Sequence, residues 1–321
     1  MNELQLNASS TVRGVPVKKG AAYHRRKIFW CYVFVLPQIL MFLAFTLYPI
    51  VMSYVYSFYR WNGVGELQHF VGFANFLETI KDTYFWNAFK NNFIFMGVMV
   101  AVQVPLALII ALILNASWLK GSAFYRAIYF LPVVTTTAVV GIVMRFIFGA
   151  YKGLVNEILI SLGLLDKPID WLGSTDTALL IILLVGVWKT FGMKMIYWLA
   201  GLQSLPKDIF EAAKVDGANV FQTFRMITVP LLLPVGSVIL LLSAVNALHV
   251  FDLVKSMTEG GPAFSTDMVD VYIYRYAFGG GGEARVGFAS AAGIWYGIAV
   301  LIISMGLGLL VKLTGGKSKS H

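Results

Sequence analysis

Six runs of predominantly apolar residues, at 28–52, 93–114, 127–148, 178–202, 231–253 and 288–311, constrain this chain more than any other feature. Each supplies the roughly 20 helical residues that cross about 30 Å of hydrocarbon. In lipid every backbone N–H and C=O needs an internal partner, so runs of this length fold as spanning helices. Pro37, Pro49, Pro105 and Pro132 fall inside them, which such helices accommodate when neighbours satisfy the freed carbonyl. Of 321 residues, 58% are hydrophobic and 13% charged, where soluble domains carry about 25% charge. The expected class is an all-α polytopic membrane protein with six transmembrane helices.

The net charge of +9 is not spread evenly. Arg13, Lys18, Lys19, Arg25, Arg26 and Lys27 precede the first run; Lys120 and Arg126 follow the second; Lys207, Lys214 and Arg225 follow the fourth; Lys312, Lys317 and Lys319 follow the sixth. The alternate loops hold most of the acids, among them Glu66, Glu78, Asp82, Asp170, Glu259, Asp267, Asp270 and Glu283. The positive-inside rule therefore predicts both termini in the cytoplasm, and the basic excess reads as a topology signal rather than a nucleic-acid surface. The single cysteine, Cys31, excludes an internal disulfide and offers no metal site. The first run is too long for a signal segment and has no small-residue cleavage site after it, so it is expected to remain as an anchor. These boundaries predict a cytoplasmic tail at 1–27, one transmembrane domain at 28–312 and a second tail at 313–321. Residues 61–91 predict one or two amphipathic helices at the interface, anchored by Phe70, Phe73, Phe76, Phe85 and Trp86.

One segment, 204–230, is polar and lies between two apolar runs. Ser204 is placed to cap a helix and Pro206 to sit in its first turn. The helix runs through Glu211, Ala212 and Ala213 past Lys214 and Asp216, and Gly217 predicts its end, because glycine takes a left-handed turn without penalty. A second short helix is expected over 218–227, stopping before Pro230. Phe221 and Phe224 are three apart and share a face, beside Arg225. An exposed aromatic pair on a cytoplasmic segment predicts a protein partner.

Glu211-Ala212-Ala213, Gly217, Ile227 and Pro230 resemble the EAA loop of ABC importer permeases. The stretches LYPIVMSYVYSF, FVGFANF, FYRAIYFLP, WLAGLQSLPKDIFEAAKVDGA, FDLVKSMTEGGP and VYIYRYAF, in that order, resemble its carbohydrate branch, of the maltose and glycerol-phosphate type. The resemblance covers most of the chain, roughly 36–310. It implies a permease subunit in a bacterial or archaeal cytoplasmic (inner) membrane. That subunit would pair with a second permease, expected to be a different chain. It would also bind two ATPase subunits and receive a saccharide from an extracytoplasmic binding protein. The EAA loop would be the coupling element, with Glu211, Ala212, Ala213, Asp216, Gly217, Phe221, Phe224, Arg225 and Pro230 as its residues. No cofactor is expected on this chain; ATP and Mg belong to the partner ATPases.

No catalytic constellation stands out, and the tail's Gly-Lys-Ser has Val311 where a phosphate-binding loop needs its first glycine. Ionisable residues inside spans are candidates for a substrate path. The fourth run carries Lys189 and Lys194 with Trp188, Tyr197 and Trp198; the fifth carries Asn246 and His249, then Asp252. Each has a plainer reading: Lys194 snorkelling, Asn246 bridging helices, Asp252 in packing or gating. Lys189 lies near mid-span and needs a wet cavity or a partner. Counting two lysines, with Arg145 and His249 nearby, against Asp252 as the one in-span acid favours an acidic saccharide over a neutral one. A self-sufficient secondary transporter or channel is the competing class, opposed by six spans without inverted-repeat symmetry.

Overall fold

The computed structural model describes residues 21–315 apart from positions 68, 117, 280 and 281. Arg13, Lys18, Lys19, Lys317, Lys319, most of the Gly-Lys-Ser stretch and the middle of the Gly279–Gly282 run lie outside the described residues. The chain divides into two units, 1–52 and 53–321. Among the described residues it is helical, with one isolated β-bridge, Tyr59 to Phe70.

In the first unit, α1 (Ala21–Phe42) passes through a wider π turn, Leu43–Leu47, into α2 (Tyr48–Ser57). Every side chain from Arg25 to Val51 is exposed. From Ile28 onward α1 is apolar nearly all round, the pattern of a helix that lies in a membrane.

In the second unit, α3 (Ala74–Lys81) precedes α4 (Thr83–Val98). A π turn, Met99–Gln103, joins α4 to α5 (Val104–Asn115), so that 83–115 forms one span. The expected second interfacial helix is thus the start of that span. Phe85 is buried in the core rather than anchored at an interface, while Phe70 and Phe73 are exposed. Next come α6 (Ser122–Val134), α7 (Thr137–Ile147), α8 (Leu154–Ser161) and α9 (Ala178–Gln203). Then α10 (Lys207–Val215) and α11 (Val220–Thr223) lead through a third π turn, Phe224–Thr228, into α12 (Val229–Ala247). The chain ends with α13 (Phe251–Met257), α14 (Val269–Phe278) and α15 (Val286–Gly315).

The three π turns share a cause. Each ends just before a proline: Pro49, Pro105 and Pro230. Proline lacks an N–H and its ring collides with the carbonyl four residues back. One extra residue in the turn moves that carbonyl aside, and the helix continues. The expectation that a short helix stops before Pro230 is therefore corrected: 220–247 is one continuous helical stretch of 28 residues.

Five helices are long and apolar enough to span, and the third expected span is a pair, α6 and α7, bent by 96°. Thr135 and Thr136 are extended at the break. Thr135 donates to the Pro132 carbonyl at 2.7 Å, drawing its side chain back onto α6. The fifth span also differs. It ends at Ala247, so His249 and Asp252 lie beyond it, at a break and on α13.

Close packing rests on small residues on α9. A Cβ on Gly192 would lie 2.2 Å from the Tyr129 carbonyl oxygen, so α6 and α9 meet backbone to side. Gly236 of α12 makes room for the Trp198 indole, whose Nε1 donates to the Val104 carbonyl at 3.0 Å. Trp198, with Phe191, Met195 and Leu232, forms an apolar core at the end of the bundle nearer α10. A second core joins Phe95, Ile182 and Val185 to Val254, Met257 and Met268.

Candidate functional site

The polar segment takes shape through its caps. Ser204 is the C-cap of α9, its hydroxyl donating to the Gly201 carbonyl at 2.7 Å, and Pro206 stands at the N-cap of α10. The expected Ser204 cap is thereby corrected. Serine serves the preceding helix, because two residues separate it from the next. Asp208 in the first turn of α10 and Lys214 in the last both complement the helix dipole. Gly217 ends the helix at φ +78°, as the sequence predicts. Gly217 N–H bonds the Lys214 carbonyl and Ala218 N–H the Ala213 carbonyl, at 3.1 and 2.9 Å, which is the Schellman arrangement. Asn219 then opens α11 with a reciprocal capping box to Gln222, at 2.8 and 2.9 Å.

These caps fix which side chains face outward. Ala213 is buried against the bundle, while Glu211, Ala212, Asp216 and Arg225 are exposed and Phe224 is half-buried. Val215 and Val220 are each 88% exposed, and Phe221 and Met226 are exposed as well. Four uncovered apolar side chains thus stand among ionic ones around the turn at Gly217 and the start of the 220–247 helical stretch, a candidate docking surface. Val215, Val220 and Met226 belong to it although only Phe221 and Phe224 stood out in the sequence.

The second site lies within the bundle. Lys189, Asn246, His249 and Asp252 line one cavity of about 320 Å³, together with Phe95, Thr137, Thr190, Phe251 and Asp270. The break after α12 brings His249 and Asp252 to the face of α9. The other expected path residues lie elsewhere. Lys194 is buried on α9 outside this cavity. Trp188 lines an apolar cleft with Leu131 and Pro132, Tyr197 is partly exposed, and Trp198 belongs to the core. A helix turns 100° per residue, so Lys189 and Lys194, five apart, cannot share a face. Arg145 lines a different cleft, with Asp170 and Pro262.

Lys189 has a structural duty. Its Nζ donates to the Val133 carbonyl at 3.2 Å, at the end of α6, where the broken span frees a carbonyl. The charged donor replaces the lost helical bond and matches the negative end of the helix dipole. Lys189→Met should therefore lower stability by about 2 kcal/mol, the scale of a charge-assisted bond plus a stranded carbonyl. Lys194→Met removes no such bond. Thermal unfolding of the two purified variants should separate them, and equal melting points would contradict the capping role.

Asp270 is the acid that the sequence count left in a loop. Its carboxylate lies 3.6 Å from His249 Nδ1 and accepts from the Val250 N–H. Burial raises its pKa, against the pull of His249. The cavity thus holds two acids, Asp252 and Asp270, facing Lys189 and His249. The expected excess of cations is corrected: one lysine points elsewhere, and α14 supplies a second carboxylate.

α14 is held by an asparagine ladder on α4, also unread in the sequence. Asn87 donates to the Phe264 carbonyl at 2.7 Å, and Asn91 to those of Ser265 and Asp267 at 2.9 Å. Asn92 donates to the Leu248 carbonyl at 2.9 Å and accepts from the Val269 N–H at 2.8 Å. α4 thereby fixes both the break after α12 and the loop before α14, where Ala263 and Phe264 take left-handed φ angles of 45° and 61°.

In that loop Asp267 is fully buried and paired with Arg275, whose guanidinium stacks 4.4 Å from the Phe264 ring centroid. Burial raises the Asp267 carboxyl to about 6, and Arg275 only partly opposes it. A folded-state pKa above the unfolded value means the protonated form favours the fold. This contribution is present below pH about 4 and is lost as pH rises through about 6. Stability should therefore increase as pH falls from 7 to 5, by about 1 kcal/mol from this group. Asp267→Asn should flatten that part of the melting-temperature profile; an unchanged slope would contradict it.

Among the described residues, no group of three or more His, Cys, Asp or Glu side chains is arranged to hold a metal ion. The model of the family described as "Binding-protein-dependent transport system inner membrane component" matches residues 103–314, a stretch containing the polar segment and all the cavity residues named above except Phe95. The chain belongs to that family. The permease is 35% identical over 273 residues to the lactose transport system permease protein LacF of Rhizobium radiobacter, covering 84% of this chain and 89% of that one. It is 35% identical to the trehalose/maltose transport system permease protein MalF of Thermococcus litoralis, covering 76% and 82%. It is also similar to a chain of a bacterial alginate ABC transporter solved in complex with an alginate pentasaccharide-bound periplasmic protein. There the TM-score is 0.79 and the identity 25%, over 91% of this chain and 97% of that one. The permease is thus a multi-pass membrane subunit, and ATP hydrolysis belongs to separate subunits.

Proposed function

We propose that this permease forms the translocation path of a saccharide importer and that the cavity between α9, α12, α13 and α14 is where the saccharide sits. The observation that carries this is the cavity's lining. Asn246, His249, Asp252 and Asp270 offer donors and acceptors, while Phe95 and Phe251 offer apolar ring faces. A sugar needs both, because its hydroxyls hydrogen-bond and its C–H faces pack on aromatic rings. The relatives' printed substrates, lactose, trehalose and maltose, are neutral. The balance of two acids against Lys189 and His249 supports a neutral saccharide here as well.

The segment 207–228 couples the path to two ATPase subunits, which bind ATP and Mg. Glu211, Ala212, Ala213, Asp216, Gly217, Phe221, Phe224, Arg225 and Pro230 belong to this joint, with Val215, Val220 and Met226. The joint is rigid because Ala213 is buried and both helix ends are capped, and it is continuous with α12 through the π turn at Pro230. A push on α11 therefore reaches Asn246, at the cavity end of the same helical stretch. A binding protein delivers the saccharide at the opposite end, and a second, different permease completes the path. The exposed apolar face of α1 suits contact with lipid or with that second permease. Lys120, Lys207, Lys214 and Arg225 at the joint's end support a cytoplasmic side for it, and for both termini, in a cell whose inner membrane holds the complex.

The test is ATP hydrolysis by the complete complex in nanodiscs, screened against neutral oligosaccharides and uronates with the cognate binding protein. Stimulation by neutral saccharides is expected. Stimulation by uronates alone would return the cavity to the acidic reading, which the similarity to the alginate transporter favours.

A further inference from the structure

The cavity holds one acceptor that is fixed before any saccharide arrives. Asp252 is exposed, and its carboxylate has no hydrogen-bond partner among the described residues. Thr190 already donates to the Gly186 carbonyl at 3.0 Å and accepts from Gln103 Nε2 at 2.6 Å. Lys189 is committed to α6. Asp270 differs. His249 Nδ1 and the Val250 N–H hold its carboxylate, its side chain is 21% exposed, and it lines the cavity. A carboxylate has about four lone-pair positions. His249 and Val250 engage part of that capacity, and the carboxylate keeps acceptor positions for a ligand in the cavity it lines.

Two acceptors on one carboxylate, about 2.2 Å apart by covalent geometry, match the spacing at which neighbouring hydroxyls of a pyranose donate together. A charged, preorganised acceptor is worth more than a mobile one, since no side-chain freedom is lost when the ligand binds. The same carboxylate disfavours a second negative charge beside it in a confined site. We propose that Asp270 is a specificity-determining residue of the translocation path, accepting from two adjacent hydroxyls of one sugar ring and disfavouring uronates. His249 acts on it as a positioning residue. This inference rests on the assignment of the cavity as the saccharide site.

The experiment pairs substitutions on the protein with deletions on the sugar. The complete complex, with its binding protein, is stimulated by the most active member of a panel of lactose, maltose, trehalose and their uronate counterparts. Mono-deoxy analogues of that saccharide are then compared, one position at a time, in the wild type and in Asp270→Asn, at saturating loaded binding protein. In the wild type, removal of either of two adjacent hydroxyls should lower the maximal rate about tenfold, as expected for a bond to a charged acceptor. In Asp270→Asn that loss should shrink to about threefold or less, because the amide has one acceptor oxygen. His249→Gln keeps an N–H donor for the carboxylate and should keep the discrimination.

A wild type indifferent to every pair of adjacent hydroxyls overturns the proposal without any variant. So does an Asp270→Asn complex with the wild-type deoxy profile, or a His249→Gln complex that loses the discrimination. Stimulation by a uronate as strong as by its neutral counterpart overturns it too. A complex stimulated by no saccharide sinks the saccharide reading itself and the proposal with it.

Discussion

Gly192→Ala should be strongly destabilising for a change of a single methyl group. Its Cβ would stand 2.2 Å from the Tyr129 carbonyl oxygen and 2.9 Å from the Phe130 Cα. Both are backbone atoms of α6, so no side-chain rotation relieves the clash. Without a hydrophobic force between helices in lipid, association relies on such close approaches by small residues. Overpacking costs about 1–3 kcal/mol where side chains yield; here α6 itself must move, and about 3 kcal/mol or more is expected. The shift would also carry Val133 away from Lys189, linking this packing contact to the cavity. Thermal unfolding in detergent is the direct check. A melting temperature within a degree or two of wild type would contradict the α6–α9 approach.

Val220→Glu combined with Phe221→Glu should detach the ATPases while leaving the permease folded. Both side chains are uncovered in the chain alone, at 88% and 68% exposure, so the fold loses nothing by their replacement. Burying a valine and a phenylalanine against a partner contributes about 1.5–3 kcal/mol each, and two carboxylates in their place add a desolvation cost. An affinity loss of about 100-fold or more is expected. Co-purification of the ATPase subunits measures it, with the melting temperature of the isolated permease as the control. Retention of the ATPases at wild-type stoichiometry would place the docking surface elsewhere.

The spans were legible because the hydrocarbon thickness sets a length that the six runs satisfy, five of them as single helical stretches and the third as a bent pair. The turn at Gly217 was legible because few residues other than glycine take its backbone angle. The errors have local physical causes. The stop expected before Pro230 does not occur because a π turn absorbs the proline, as π turns also do before Pro49 and Pro105, and nothing in the local residue types marks that outcome. The break in the third span left a trace, Pro132 followed by Thr135, Thr136 and Thr137, that hydropathy alone smooths over. Lys189 and Lys194 looked equivalent in a linear count, and the helical turn between them separates one into the cavity and one away from it. Asp270 was hidden because it belongs to a segment between spans; only the fold brings α14 to the break after α12. The ladder of Asn87, Asn91 and Asn92 did carry a signal. Amides at i, i+4 and i+5 at the start of an apolar span need partners; Asn87 and Asn91 share a face, and Asn92 lies beside Asn91.

The most direct test of the account is reconstitution of this permease into proteoliposomes, alone and with its partner permease, ATPases and binding protein, followed by uptake of labelled saccharide. The account predicts concentrative uptake only in the complete assembly, only with ATP inside the compartment facing residues 207–228, and none by the permease alone under a proton or sodium gradient. Gradient-driven uptake by the permease alone would contradict it.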